Sequence, residues 1–216
     1  LVKIAGRAFV VASIATTIAF TVSWLLVQYT TEKFQTLFLV VITLPFLINE
    51  SIRIFSWQYF LAENGLINRF LSFVSGYDVR LMNGSNSWNI YVVMIIACIP
   101  FGVFICAATL KTIPHIFWKS ASDLKLSEMS KLLKIGLPLS KFAIATSLII
   151  LFFIAFSMSS EVNFLGGDTK ISTRNFVLSL MSAGKFQAIF ALGFFIVLLV
   201  LLIYLGGLFY TKKKNK

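Results

Sequence analysis

The chain has 216 residues, 58% hydrophobic and only 12% charged, with a formal net charge of +11. Its charges are few and clustered, which excludes an ordinary soluble globular domain and points to a polytopic membrane protein. The basic excess does not call for nucleic acid: most Lys and Arg residues fall in loops and tails, where the positive-inside bias accounts for them.

The fold class expected is all-α: a transmembrane helix bundle, one domain over residues 1–216, with spans at about 8–29, 36–50, 90–110, 142–159 and 187–210. Each approaches the length that a ~30 Å hydrocarbon core needs at 1.5 Å per residue. The first follows directly from the amino terminus, and no cleavage site of a signal peptide follows it. The second is irregular. Thr36–Ile48 is apolar, Asn49, Glu50 and Arg53 break it, and Phe55, Trp57, Tyr59, Phe60 and Leu61 resume it. A run this short also suits a re-entrant segment. The reading adopted is a span that exits near Glu50, followed by an amphipathic interfacial helix with Trp57 and Tyr59 at the membrane–water boundary.

Asn64-Gly65 and Ser75-Gly76 punctuate the loop that follows, and Asn83-Gly84-Ser85 matches a glycosylation tripeptide. Pro100 sits inside the third span, where a proline is expected to kink the helix. Cys98 and Cys106 share that span. Eight helical residues hold them roughly 12 Å apart, too far for a local disulfide. His115 is the single histidine, so no metal site and no cofactor are expected. After the fourth span, Gly166-Gly167 reads as a tight turn.

Residues 111–141 stand out as a long lysine-rich segment between two spans, too patterned for a tether. A short helix at about Ile116–Leu124 and a second at about Ser127–Lys134 are expected. Phe117, Trp118, Ala121 and Leu124 recur at helical spacing and suit docking into a groove on a soluble partner. Anionic lipid is the plainer occupant of such a face. With five spans, Lys33, the 111–141 loop and the tail Lys212-Lys213-Lys214-Asn215-Lys216 fall on one side and carry eleven of the nineteen Lys and Arg residues. That places the C-terminus in the cytoplasm. The amino terminus then lies outside, and since the chain opens on Leu1 rather than Met, a further span upstream is expected.

The loop resembles the cytoplasmic loop of ABC importer permeases, whose signature is Glu-Ala-Ala, three residues, Gly, nine residues and Ile-x-Leu-Pro. Here Lys119-Ser120-Ala121 occupies the first positions, Asp123-Leu124 matches a frequent pair, Lys125 stands at the Gly, and Ile135-Gly136-Leu137-Pro138 fits the end. The resemblance continues in order along the chain. Pro45-Phe46, Ile52-Arg53, Trp57, Asn64-Gly65-Leu66-Ile67-Asn68, Pro100-Phe101 and Leu165-Gly166-Gly167 with Asn175 look like the spermidine/putrescine-type subfamily.

The resemblance implies a permease subunit in a bacterial inner membrane, not an enzyme. Its partners would be ABC ATPase subunits on the loop, a second permease subunit, identical or related, and an extracytoplasmic substrate-binding protein. No Gly-x-x-x-x-Gly-Lys-Ser/Thr occurs in the chain, so ATP hydrolysis is expected in a separate chain. The family carries six spans, which agrees with one lacking here. Lys125 at a glycine bend should cost roughly 1 kcal/mol or force another turn, and Lys119 reverses the charge of the usual acid. Both raise the alternative of a decoupled scaffold without transport of its own.

Glu50 and Arg53 are helical neighbours, three residues apart. Either they form a self-satisfied interfacial pair, or with Trp57, Glu161, Gly166 and Gly167 they line a translocation path or its outer gate. Glu50, Glu63, Asp78, Glu161 and Asp168 all fall on the outer side, where an acidic vestibule would suit a cationic, polyamine-like solute.

Overall fold

The computed structural model describes residues 2–77, 87–165, 173–191, 193–195, 197–198 and 201, and every regular element among them is helical. The helices are α1 (Val2–Tyr29), α2 (Glu32–Leu47), α3 (Glu50–Phe60), α4 (Leu66–Ser75), α5 (Ser87–Lys111), α6 (His115–Asp123), α7 (Glu128–Lys131), α8 (Leu137–Leu139), α9 (Lys141–Ser157), α10 (Ser159–Leu165) and α11 (Thr173–Ser182). A π-helical turn, Leu132–Gly136, joins α7 to α8.

Among the described residues, α1 and α5 are each long and apolar enough to cross a membrane. Two bent pairs raise the possible crossings to four: α2 with α3, turned by 88°, and the α7–α8 segment with α9, turned by 76°. The expected last span, 187–210, is described only as the shorter apolar helix Phe186–Phe195. The described helices thus give two to four crossings where five were counted along the sequence. The two bends fall at Ile48-Asn49, before α3, and at Ser140, between α8 and α9, and residues 202–210 of the last expected span lie outside the described residues.

The bundle centre is α1, α5 and α9. One stripe of α1 is almost entirely small: Ala8, Ala12, Ala15, Ala19 and Ser23 are buried at helical spacing. Small side chains let backbones approach, which is how helices pack where lipid tails give no hydrophobic drive. Gly102 of α5 meets this stripe. A Cβ there would lie 2.7 Å from Ala19 Cβ, 3.1 Å from Leu151 Cδ1 and 3.3 Å from Ser147 Oγ. Beside it, Ser23 Oγ donates to the Val103 carbonyl at 3.1 Å and ties α1 to α5. Despite Pro100, α5 runs unbroken from Ser87 to Lys111.

Two apolar clusters fill the bundle. The first gathers Ala8, Val11, Met94, Cys98, Leu151 and Ala155 with Leu61, Val162 and Leu165, bringing α10 and the end of α3 against the spans. The second lies at the other end of the bundle and contains Phe20, Trp24, Cys106, Leu110, Ile113, Trp118 and Leu132. Cys98 and Cys106 are both free and buried.

The stretch 62–77 holds α4, where the sequence suggested only loop. The Asn64–Asn68 motif is what builds the turn into it. Asn68 is buried, and its side-chain amide donates to the carbonyls of Glu63 at 3.0 Å and Ala62 at 3.3 Å. At Gly65 a Cβ would fall within 2.5–2.8 Å of the carbonyl oxygens of Phe60, Tyr59 and Ala62, so no other residue fits without moving the chain.

The chain divides into two units, Leu1–Thr173 and Arg174–Lys216. In the second, α11 ends at Gly184, which adopts φ +68°. Gly184 N–H donates to Met181 O at 3.0 Å and Lys185 N–H to Leu180 O at 2.9 Å. That is a Schellman cap, in which glycine carries the left-handed residue at no steric cost.

Candidate functional site

The 111–141 loop folds as two short helices on the end of the bundle. α6 begins after Pro114, whose ring supplies the extended entry. It closes through the same cap as α11: Lys125 N–H donates to Ser122 O at 2.8 Å and Leu126 N–H to Ala121 O at 3.2 Å. The left-handed residue here is Lys125, at φ 52°, the single non-glycine with positive φ among the described residues. The glycine position of the signature therefore keeps its geometry while carrying a side chain. An L-residue in that region costs roughly 1–2 kcal/mol.

Ser127 then caps α7, its hydroxyl accepting from Ser130 N–H at 3.3 Å. Lys131 Nζ donates to Glu128 Oε1 at 2.7 Å. Lys131, and after it Tyr29 at the end of α1, hydrogen-bond the Glu128 carboxylate and hold it below the usual carboxylate range. The second helix, expected to run to Lys134, becomes π-helical at Leu132, and Leu137 N–H donates to Leu132 O, five residues back. Pro138 is the cause. It brings no N–H, its ring crowds the carbonyl four residues back, and a π-turn relieves that crowding.

The structure divides the four residues of the expected docking face. Trp118 (7% exposed) and Ala121 (2%) are buried, and Trp118 packs with Phe20, Trp24 and Leu132. The ring also faces Gly136, where a Cβ would lie 3.6 Å from it. Trp118 therefore seats the loop on the spans. Phe117 (46% exposed) and Leu124 (73%) face outward, and Ile116 (67%) joins them. Lys119, Ser120, Asp123 and Lys125 are exposed around that face. Of the closing motif, Ile135 is half-buried on the second cluster, while Leu137 and Pro138 are exposed. Sequence reasoning missed Ile116 and Gly136. The phase of the helix against Phe20 and Trp24 decides both, and no residue inside the loop records it.

The second candidate site is the broken span. Asn49 Oδ1 accepts from Ser51 N–H at 2.9 Å, so Asn49 ends the apolar run by capping a new helix. Glu50 and Arg53 do not pair with each other among the described residues. Glu50 is exposed, while Arg53 Nη2 approaches Glu161 Oε1 at 3.4 Å, joining α3 to α10 across 108 residues of sequence. Glu161 is 3% exposed, the one buried Asp, Glu, Lys or Arg among the described residues. Arg53 and Trp57 also border an open cavity of about 280 Å³, walled by Ile42 and Pro45 of α2 and by Ala97 and Pro100 of α5, with Glu161 behind Arg53 and not on its wall. Its wall is apolar apart from Arg53. α10 is aimed at this site because Met158, at φ −67° and ψ 80°, breaks the helix after α9.

Of the acids expected in a vestibule, Glu50 and Glu63 are exposed and Glu161 is buried. Asp78, Asp168, Asn83, Gly166 and Gly167 lie outside the described residues. No group of three or more His, Cys, Asp or Glu gathers among the described residues.

Comparison with known proteins identifies the family. Residues 29–212 match the family of binding-protein-dependent transport system inner membrane components. The spermidine/putrescine transport system permease protein PotB of Salmonella typhimurium (strains SL1344 and LT2) and that of Salmonella typhi are each 26% identical over 148 residues. The match covers 68% of this chain and 51% of each relative, so the chain spans about half the length of the curated relatives it matches. With only helices among its described regular elements, membrane-length apolar helices, a helical loop ending in Ile-Gly-Leu-Pro and a family match over most of its residues, this chain belongs to the inner-membrane permease components of binding-protein-dependent ABC importers.

Proposed function

We propose that this chain is a permease subunit of an ATP-driven importer that moves a small cationic, polyamine-like solute by alternating access. One observation carries the reading. The 111–141 loop is held rigidly to α1 and α5 through Trp118 and Leu132, yet presents Ile116, Phe117 and Leu124 outward. A loop bound tightly on one side and apolar on the other transmits a push from a soluble partner to the spans. The left-handed bend at Lys125 supports a working loop over a degenerate one, since the cap forms in full despite the side chain.

In this reading two ABC ATPases dock on such loops, one from this chain and one from a second permease, identical or related. ATP binding closes the ATPases, the loop helices approach each other, and the path opens outward. Hydrolysis in the ATPase resets it. An extracytoplasmic binding protein delivers the solute to the segments around 62–89 and 160–186. The loop and the C-terminus lie in the cytoplasm. Arg53, Trp57 and Glu161 line the path near its outer gate, and Glu50 stands at its rim.

The test is co-purification of the whole complex in mild detergent with this chain tagged. Leu124→Asp and Phe117→Asp place a charge on the outward face and should release the ATPase without changing the melting temperature of the chain. Trp118→Asp should lower that temperature, because it buries a charge among Phe20, Trp24 and Leu132. ATPase retention by both outward-face variants would refute the docking assignment.

A further inference from the structure

We propose that Glu161 is the carboxylate that receives an ammonium group of the transported cation, and that Arg53 stands in for that ammonium while the path is empty. The inference rests on the importer reading and goes beyond it by assigning a binding role to one ion pair.

A buried carboxylate demands a compensating positive charge. The contact that supplies it here is long. The guanidinium nitrogen stands 3.4 Å from the carboxylate oxygen, where a charge-assisted bond of this type settles at roughly 2.7–2.9 Å. The two side chains also differ in access: Glu161 is 4% exposed and Arg53 21%. The arginine therefore reaches the carboxylate from the more exposed side.

The cavity beside the pair has the walls that a polymethylene cation requires. Ile42, Pro45, Ala97 and Pro100 line it with apolar atoms for methylene groups, and Trp57, the side-chain type best suited to a second ammonium, also borders it. Ala97 lies about 15 Å along α5 from Ser87 by helical rise, so the cavity sits near the middle of that helix. Both flanking segments are broken helices, α2–α3 and α9–α10. Interrupted backbone at membrane depth persists where it lines a cavity or is buried in protein.

An arriving ammonium displaces Arg53 from Glu161, and the net charge of the site is the same before and after. The carboxylate is never left uncompensated, so the exchange avoids the large cost of an unpaired buried charge. An empty path also presents a positive charge at the cavity wall, which discourages passage of small cations without the delivered solute.

The experiment uses the full transporter with its ATPase, second permease and binding protein, in cells lacking other polyamine uptake. Labelled putrescine is the probe, and initial uptake is measured against concentration. Glu161→Gln should raise KM by roughly tenfold or more, as loss of one partner from a buried charge pair does. Arg53→Gln removes the competing cation and should lower KM for putrescine in the assembled complex, and a raised KM would overturn the displacement. The double exchange Arg53→Glu with Glu161→Arg restores the pair as a structural link but puts the positive charge on the inner position, and uptake should stay lost. Melting temperature and co-purified ATPase confirm assembly of each variant.

Rescue of uptake by the double exchange would assign the pair a structural role and overturn the proposal, as would Glu161→Gln with an unchanged KM. If the wild-type complex assembles with its ATPase yet takes up no putrescine, the cationic-solute reading fails first, and this inference fails with it.

Discussion

Gly102 offers the sharpest test of how the bundle is packed. Replacing it with Ala in the middle of α5 should, by helix propensity alone, stabilise the chain by roughly 1 kcal/mol. The structure opposes this. The new Cβ would stand 2.7 Å from Ala19 Cβ, and both atoms are fixed to helix backbones, so α1 and α5 must separate by several tenths of an ångström. Overpacking of this kind costs about 1–3 kcal/mol, which leaves Gly102→Ala between neutral and about 2 kcal/mol destabilised. Gly102→Val adds two more carbons against Leu151 and Ser147 and should lose about 3 kcal/mol. Adding Ala19→Gly to Gly102→Ala removes the 2.7 Å contact, so the two changes should couple favourably by about 1–2 kcal/mol even though glycine weakens α1. The assay is reversible denaturation of the purified chain in mixed micelles, followed by tryptophan fluorescence and arranged as a double-mutant cycle. Stabilisation by Gly102→Ala to the full propensity value, with no coupling to Ala19, would refute the close crossing of α1 and α5.

Other outcomes follow from single contacts. Lys125→Gly removes the left-handed strain but loosens the unfolded chain, so a net gain of about 0–1 kcal/mol is expected, while Lys125→Val should lose stability; thermal denaturation separates the two. In the complex, Lys125→Gly should raise ATPase stimulation, and an unchanged rate would mean the bend already transmits fully. Glu128 carries a lowered carboxylate pKa in the folded chain, chiefly through Lys131 and then Tyr29. Its fastening of the loop is therefore complete above the ordinary value of 4.5 and lost as pH falls through the folded value. Protease cleavage within 124–131 should rise at that acid limb and be pH-insensitive there in Glu128→Gln. Asn68→Ala takes the side-chain donor from the Glu63 carbonyl, while Ala62 keeps Gly65 N–H, and should cost about 0.5–1.5 kcal/mol. A melting temperature equal to that of the unaltered chain would deny the motif its role in the α3–α4 turn.

Much of this protein was legible along the chain because hydrophobicity is a local property. Apolar runs marked α1 and α5, the spacing from Lys119 to Pro138 marked the loop, and the glycine position marked the bend where Lys125 now adopts φ 52°. The α4 helix was legible too and passed over: Leu66, Phe70, Phe73, Val74 and Tyr77 recur at helical spacing, with Gly65 before and Gly76 after. Which residue meets which was not legible. Glu50 and Arg53 looked like partners at helical spacing, yet Arg53 turns to Glu161, 108 residues away, because the Asn49 cap and the Met158 break redirect α3 and α10 toward each other. Trp118 and Leu124 looked equivalent on one helix face, and only packing against Phe20 and Trp24 separated the residue that anchors the loop from the one left outside. Membrane depth, helical content and family were written into composition and spacing. The ion pair, the cavity and the outward face arose from directions taken at a few capped or broken steps, and those are set by contacts between segments far apart in the chain.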